Sequence, residues 1–244
     1  MYVSFFIASA HIIKKLNEMY SLKTPNHQFD VIKIKTRPNE YYYTLKNLTQ
    51  PSRACMDVLV WKNDEEWWAA IEYLEYDSAC SSNNLERKSG TIEMVQGMLS
   101  ALLKKHPKIT TVELSDKSNF IASNNERIPL PEYRMITTGK TWYEEHFGAI
   151  PANDSVVDRR RRYLKERKEL HKQLLEMPKL TAEDFKEFLR ASHLRQLSGN
   201  VWVIPIDAIK VYPIEGHLKK VAPHVQGGFQ GLLKREEFEF RLYG

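Results

Sequence analysis

Alternation of apolar and polar positions dominates the first third of this chain, and three- and four-residue spacing takes over afterwards. Residues 2–7 (YVSFFI) predict a strand, and residues 9–21 a helix with Ile12, Ile13, Leu16 and Met19 along one side. Residues 30–35 (DVIKIK) alternate as a strand does. TRPNE then reads as a turn, and YYYTL as a second strand of β-forming aromatics. Two stronger strands, 55–61 (CMDVLVW) and 67–76 (WWAAIEYLEY), flank the polar connection KNDEE. Together these segments predict an antiparallel meander with an early helix.

The period then changes. Met94, Met98, Leu99, Leu102 and Leu103 recur at helical spacing and predict a helix over 87–105. KITTVEL (108–114) reads as a strand. Strand, helix, strand with a crossover of this length predicts a parallel pair, so the sheet should be mixed. A polar loop (115–133) leads to two short helical pieces over 133–147, hinged near Gly139. From residue 151 the text becomes highly charged. A long helix is predicted with Val156, Val157, Tyr163, Leu164, Leu170, Leu174 and Leu175 as its apolar stripe, ended by Pro178. Thr181 and Asp184 form a capping-box variant that opens a further helix, with Phe185, Phe188 and Leu189 on its apolar face. The tail returns to strand-like text in VWVIPI, IKVYPI and FEFRLY. The fold class is therefore α+β, with a mixed, mainly antiparallel sheet.

Composition narrows the classes. At 244 residues the chain is long enough for one large domain with an appendage, and 42% hydrophobic residues can build a real core. No apolar run approaches the roughly 18 residues of a membrane span. The segment MYVSFFIASAHIIKK lacks a positive charge ahead of its short apolar run, so a strand followed by a helix is expected rather than a signal peptide. Cys55 and Cys80 show no metal spacing and no disulfide framework; two reduced thiols, and hence an intracellular protein, are expected. The net charge of +5 permits an anionic partner without demanding one.

One stretch carries candidate chemistry. Residues 86–105 read ERKSGTIEMVQGMLSALLKK, so Arg87, Lys88, Ser89, Gly90 and Thr91 stand between a strand and a helix start. A helix N-terminus presents unpaired N–H groups and the positive end of the helix dipole to anions. The order strand, helix, meander, helix, strand, helix resembles that of the GNAT superfamily of N-acetyltransferases. There a turn of form Q/R-x-x-G-x-G/A holds the pyrophosphate of acetyl-CoA. Arg87 and Gly90 match that turn. Ile92 stands where Gly or Ala is expected, and the loop from Asp77 to Leu85 is longer than the family pattern. TWYEEHFGAIP is similar to the family's later helix signature, with Tyr143 at the position of the tyrosine that protonates the departing thiolate. Here Phe147-Gly148 reverses the usual Gly-Phe order. The GKTWYE stretch is also similar to stretches in proteins of large DNA viruses.

The resemblance implies a GNAT-like domain at 1–150 and a basic helical and β extension at 151–244. It implies an acyl-CoA-dependent N-acyltransferase using acetyl-CoA and no metal, in which Glu72 or Glu75 serves an amine whose identity is unknown. Read as residues of a strand, Glu72 and Glu75 are three apart and face opposite sides, so at most one points into a cleft. Glu113, Asp116 and Asn119, at the end of the following strand, are further candidates. His106 and His146 form no spaced metal pair. Two alternatives stand beside the enzyme: a GNAT-like fold without catalysis acting as a binding or virion assembly protein, and a basic nucleic-acid-binding protein. The last rests on Arg159, Arg160, Arg161 and Arg162, within a span (154–172) of eight basic and four acidic residues. Consecutive helical residues point about 100° apart, so those four cannot all meet one partner.

Overall fold

The computed structural model describes residues 17–121, 125–177, 180–209 and 216–221. The strand expected at 2–7, most of the helix at 9–21, Pro178 and the tail segments IKVYPI (all but its first residue) and FEFRLY lie outside the described residues. The chain is α+β and divides into two compact units, residues 1–110 with 210–244, and residues 111–209.

The first unit is built on an antiparallel meander: β1 (Asn17–Lys23), β2 (Gln28–Arg37), β3 (Glu40–Lys46), β4 (Ala54–Asn63) and β5 (Glu66–Leu74). A later strand, β11 (His217–Val221), pairs antiparallel with β1 and closes that edge. The helix expected through residue 21 is thus corrected: from Asn17 the chain is strand. Tyr20 and Leu22 lie opposite Val31 and Phe29 and are buried, so period-2 burial overrides the helical spacing of Leu16 and Met19. The hairpins turn where the sequence permits positive φ. Asn39 (φ 64) follows Pro38 between β2 and β3, and Asp64 (φ 52) sits between β4 and β5.

One face of this sheet carries Leu22, Val31, Tyr43, Leu45, Met56 and Val58, all fully buried. The helix α1 (Ser89–Lys105) joins the same unit and buries Met94, Val95, Met98, Leu99 and Leu102. Gly97 explains how closely helix and strand approach. A Cβ there would come within 2.4 Å of the Thr24 methyl, so any larger residue would push α1 off β1. Each fully buried Leu, Val or Met of this layer contributes about 1.5–3 kcal/mol.

The second unit contains β6 (Ile109–Ser115), the hairpin β7 (Asn119–Ile121) and β8 (Arg127–Pro129), α2 (Leu130–Thr137), α3 (Trp142–Phe147), β9 (Ile150–Pro151), α4 (Asp154–Glu176), α5 (Ala182–Ala191) and β10 (Val201–Ile204). β10 pairs antiparallel with both β6 and β9. The two short helices expected over 133–147 are α2 and α3, separated at Gly139 (φ 80). Thr141 and Glu144 cap α3 reciprocally, and Gly148 (φ 61) ends it in the left-handed region. The order Phe147-Gly148 follows from this: Phe147 is buried in the last turn, and glycine must come after it.

The core of this unit joins Ile128, Met135 and Ile136 to Tyr163, Leu170 and Leu174 of α4 and to Phe185, Phe188 and Leu189 of α5. The apolar stripe of α4 is narrower than its sequence predicts. Val156, Tyr163, Leu170 and Leu174 are buried, whereas Leu164 and Leu175 are exposed. The buried positions repeat at seven and four residues and keep to one line, and the other two fall a step to its side. Thr181 caps α5 by accepting from the Asp184 N–H, as its sequence predicts.

Candidate functional site

The segment between β5 and α1 is tied down at several points. Its 3₁₀ turn (Ser78–Cys80) is capped by Asp77, whose carboxylate accepts from the Ala79 N–H at 2.9 Å. Leu85 N–H donates to Ser78 O at 2.8 Å, and Ser81 Oγ lies 3.1 Å from His27 Nδ1. Cys80 is bonded to Cys55, with Cα atoms 5.9 Å apart. The expectation of two reduced thiols is therefore corrected. Cys55 lies near the start of β4, and the loop after β5 returns Cys80 to it across 25 residues. The compartment argument that rested on free thiols loses its basis, because disulfides persist in oxidising surroundings.

This anchoring fixes the turn that opens α1. Lys88 takes φ 75 and ψ −74, and Ser89 N–H donates to Arg87 O at 3.1 Å. That is a γ-turn of the positive-φ form, rare and strained for a residue with a Cβ. No side chain caps α1, and its first turn carries no acidic residue. Glu86, Arg87, Lys88 and Ser89 are exposed. Arg87 lies over the Tyr76 ring at 5.8 Å, and the Tyr76 hydroxyl donates to Leu85 O at 3.1 Å, so the end of β5 and the turn are one assembly. Behind the turn, Glu93 is buried and accepts from the Thr24 hydroxyl, the Asn26 N–H (2.8 Å) and Asn26 Nδ2 (2.9 Å). Burial pushes its carboxyl up, but these donors outweigh it and hold the group below the usual carboxylate range.

Two exposed cations, Arg87 and Lys88, stand beside uncapped N–H groups at the helix start, with the Glu86 carboxylate accepting from Ser89 Oγ at 2.8 Å. Gly90 serves a different purpose from the one its sequence position implies. A Cβ there would stand 2.9 Å from Leu85 Cδ1 and 3.4 Å from His27 Nε2, so the glycine makes room for the protein's own side chains. Thr91 is buried beneath the turn.

Glu72 of β5 and Glu75 just beyond it part company. The register of β4 on β5 shifts between Asp57 and Val58, which face Tyr73 and Ile71, so Glu72 is the extra residue of a β-bulge. Glu72 and Tyr73 are consecutive and both exposed, which alternation alone forbids. The opposite-face argument for Glu72 and Glu75 fails at this bulge, since Tyr73 reaches Glu75 through its hydroxyl. Glu75 is also bonded to Arg53, and Arg53 Nη1 stands 3.6 Å from Asp77. Burial pushes the Glu75 carboxyl up, while Tyr73 and Arg53 bring it below its ordinary value. Glu75 is thus a paired structural charge. Among the described residues Glu72 has no ion-pair partner.

In the second unit Tyr143 exposes 7% of its surface and packs on Trp142 and Phe147. Burial, with Asp116 adding to it, drives its hydroxyl far above the ordinary tyrosine range. Asp116 is itself buried, with Oδ1 accepting from the Ser118 N–H (3.1 Å) and hydroxyl (2.5 Å). It caps an internal turn and is closed to solvent. His106 stacks with Trp67 and Tyr41 in the first unit, and its Nε2 stands 2.8 Å from the Tyr43 hydroxyl. Among the described residues no group of three or more His, Cys, Asp or Glu comes together, and no helix is long and apolar enough to cross a membrane.

The four arginines of α4 diverge, as their spacing requires. Arg160 pairs with Glu144 at 2.6 Å and Arg161 with Asp158 at 2.8 Å. Arg159 donates to Gln196 O (3.1 Å) and Asn200 Oδ1 (2.9 Å). Arg162 is exposed and lines a cleft of about 270 Å³ with Ser155, Asp158, Arg159 and Arg195. Two charged residues of these sites went unread in the sequence. Arg53 lies 22 residues from Glu75, Arg195 comes from the segment after α5, and neither carries a local motif. In comparisons with known proteins, no family model, no curated protein and no solved structure matches this chain.

Proposed function

We propose that this protein binds an acyl-CoA at the start of α1 and acts as an N-acyltransferase of the GNAT-like type. The observation that carries the reading is the uncapped, basic N-terminus of α1, held against Tyr76 just beyond β5 by the anchored 77–88 segment. Arg87, Lys88 and the N–H groups of Gly90 and Thr91 hold the pyrophosphate. The acyl thioester supplies the activated acyl group when bound. Glu72, exposed at the bulge and without an ion-pair partner among the described residues, takes the proton of the incoming amine; Glu75 is committed to Arg53. Bulges concentrate beside active sites, where they free backbone groups from the ladder.

A second reading, a binding protein without catalysis, is favoured by one observation. Tyr143 is packed among aromatic neighbours and poorly placed to donate a proton to a thiolate. One experiment covers both readings. Acetyl-CoA is titrated calorimetrically into the wild-type protein, Arg87→Glu/Lys88→Glu and Glu72→Gln, and thiol release is followed with a panel of amines. The enzyme reading expects binding lost in the first variant, and binding kept but thiol release lost in the second. Binding without thiol release leaves the second reading. No binding at millimolar acetyl-CoA refutes the enzyme reading and leaves the second.

A further inference from the structure

The cleft on α4 is independent of the acyl-CoA reading, and it rests on different residues. Ser155, Arg159 and Arg162 repeat at four and three residues and form one stripe on the first two turns of the helix. Arg195 faces them from the segment after α5. That segment is fixed in place from several sides. The Tyr163 hydroxyl donates to Arg195 O at 3.2 Å, and Leu194 and Leu197 are buried in the core. Glu132, fully buried, accepts the Leu197 N–H at 2.7 Å and the Ser198 N–H at 2.6 Å. Arg159 is clamped to the same segment through Gln196 and Asn200.

Two features show cationic capacity left over. Arg162 and Arg195 have no carboxylate partner among the described residues. Arg159 Nε is buried and unbonded although its Nη1 is engaged. The cleft's one carboxylate, Asp158, is already held by Arg161 at 2.8 Å. Guanidinium groups present planar forks that match phosphoryl oxygens, and the Ser155 hydroxyl in the first turn adds a donor at the positive end of the helix.

We infer that this cleft binds the phosphoryl group of a small ligand, gripped by Arg159, Arg162 and Arg195. A discrete phosphoryl group fits better than a nucleic-acid backbone. The cleft is small, about 270 Å³, Arg160 and Arg161 are spent on Glu144 and Asp158, and beyond Arg162 the helix mixes signs through Lys165, Glu166, Arg167, Lys168 and Glu169. A polyanion needs a continuous basic track.

The test is calorimetric titration at low ionic strength with inorganic phosphate and with adenosine 5′-monophosphate. Arg162→Gln and Arg195→Gln alter exposed side chains and leave the fold intact, which equal melting temperatures check. Saturable one-to-one binding of either probe, weakened about tenfold or more in each of these variants and unchanged in Arg190→Gln, an exposed arginine of α5 outside the cleft, is expected. Tighter binding of the monophosphate would mark an ester as the natural form, and equal binding the free ion. Absence of saturable binding overturns the proposal, as does equal weakening in Arg190→Gln. Binding lost instead in Arg87→Glu/Lys88→Glu would place the anion at α1 and overturn it too. So would a 20-nucleotide strand that phosphate fails to displace and that all three arginine variants weaken alike.

Discussion

Removing the Cys55–Cys80 bond should destabilise the first unit by a calculable amount. The bond closes a loop of separation 25. Chain entropy for a loop of that length gives about 3.5 kcal/mol at 25 °C. For a chain of this size that corresponds to a fall in melting temperature of about 7–14 °C. Both sulfurs are buried, so reductant acts slowly on the native protein, and the variant Cys55→Ala/Cys80→Ala is the cleaner perturbation. Scanning calorimetry of the wild type and the variant, each with and without reductant, reads the effect. Only the wild type should respond to reductant. Hydrogen exchange should quicken at Leu85, whose N–H bond to Ser78 O depends on the anchored 3₁₀ turn. The decisive control is a thiol titration of protein denatured without reductant: no thiols are expected. Two thiols per chain, or a Cys55→Ala/Cys80→Ala variant that melts at the wild-type temperature, would refute the reasoning.

Two further outcomes concern buried polar groups. Glu93→Ala removes the charged acceptor of the Thr24 hydroxyl, the Asn26 N–H and Asn26 Nδ2, and should cost about 1.5–3 kcal/mol in urea unfolding, with the loss concentrated in the first unit. His106 is held down to about 4 by burial, with Lys33 and Lys105 adding to it. Its folded value lies below its ordinary 6.5, so the unfolded chain binds the proton more readily. Its contribution is therefore complete above pH 6.5 and is lost as pH falls from 6.5 through about 4. His106→Gln, which does not titrate, should flatten the urea midpoint across that window; an unchanged slope would contradict the assignment.

How much of this was legible in the sequence differs by element. The meander from β2 to β5, the helix α1, the pair α2 and α3, and the Thr181 cap were all readable, because local period and turn chemistry agree there. The start of β1 was not. Leu16 and Met19 keep helical spacing, but the pairing of Tyr20 with Val31 and of Leu22 with Phe29 decides the matter, and pairing is non-local. The disulfide was hidden for the same reason, since only the return of the loop after β5 brings Cys80 to Cys55. Candidate residues divided likewise. The turn at Arg87 to Thr91 stands where its spacing placed it, yet Gly90 proved to face Leu85 and His27. The bulge at Glu72 broke the alternation on which the carboxylates were sorted, and a one-residue insertion in a ladder leaves no mark in composition. The arginine run was conspicuous, but the partners that consume Arg160 and Arg161, and the arrival of Arg195, come from the fold.

The proposed acyltransferase depends on a pyrophosphate site at the start of α1. Amide chemical shifts of Gly90 and Thr91, followed by ¹H–¹⁵N correlation spectra as acetyl-CoA is added, test it. Large, saturable shifts are expected at these two amides, absent in Arg87→Glu/Lys88→Glu. Amides that stay in place at millimolar acetyl-CoA, while the protein remains folded, would contradict it.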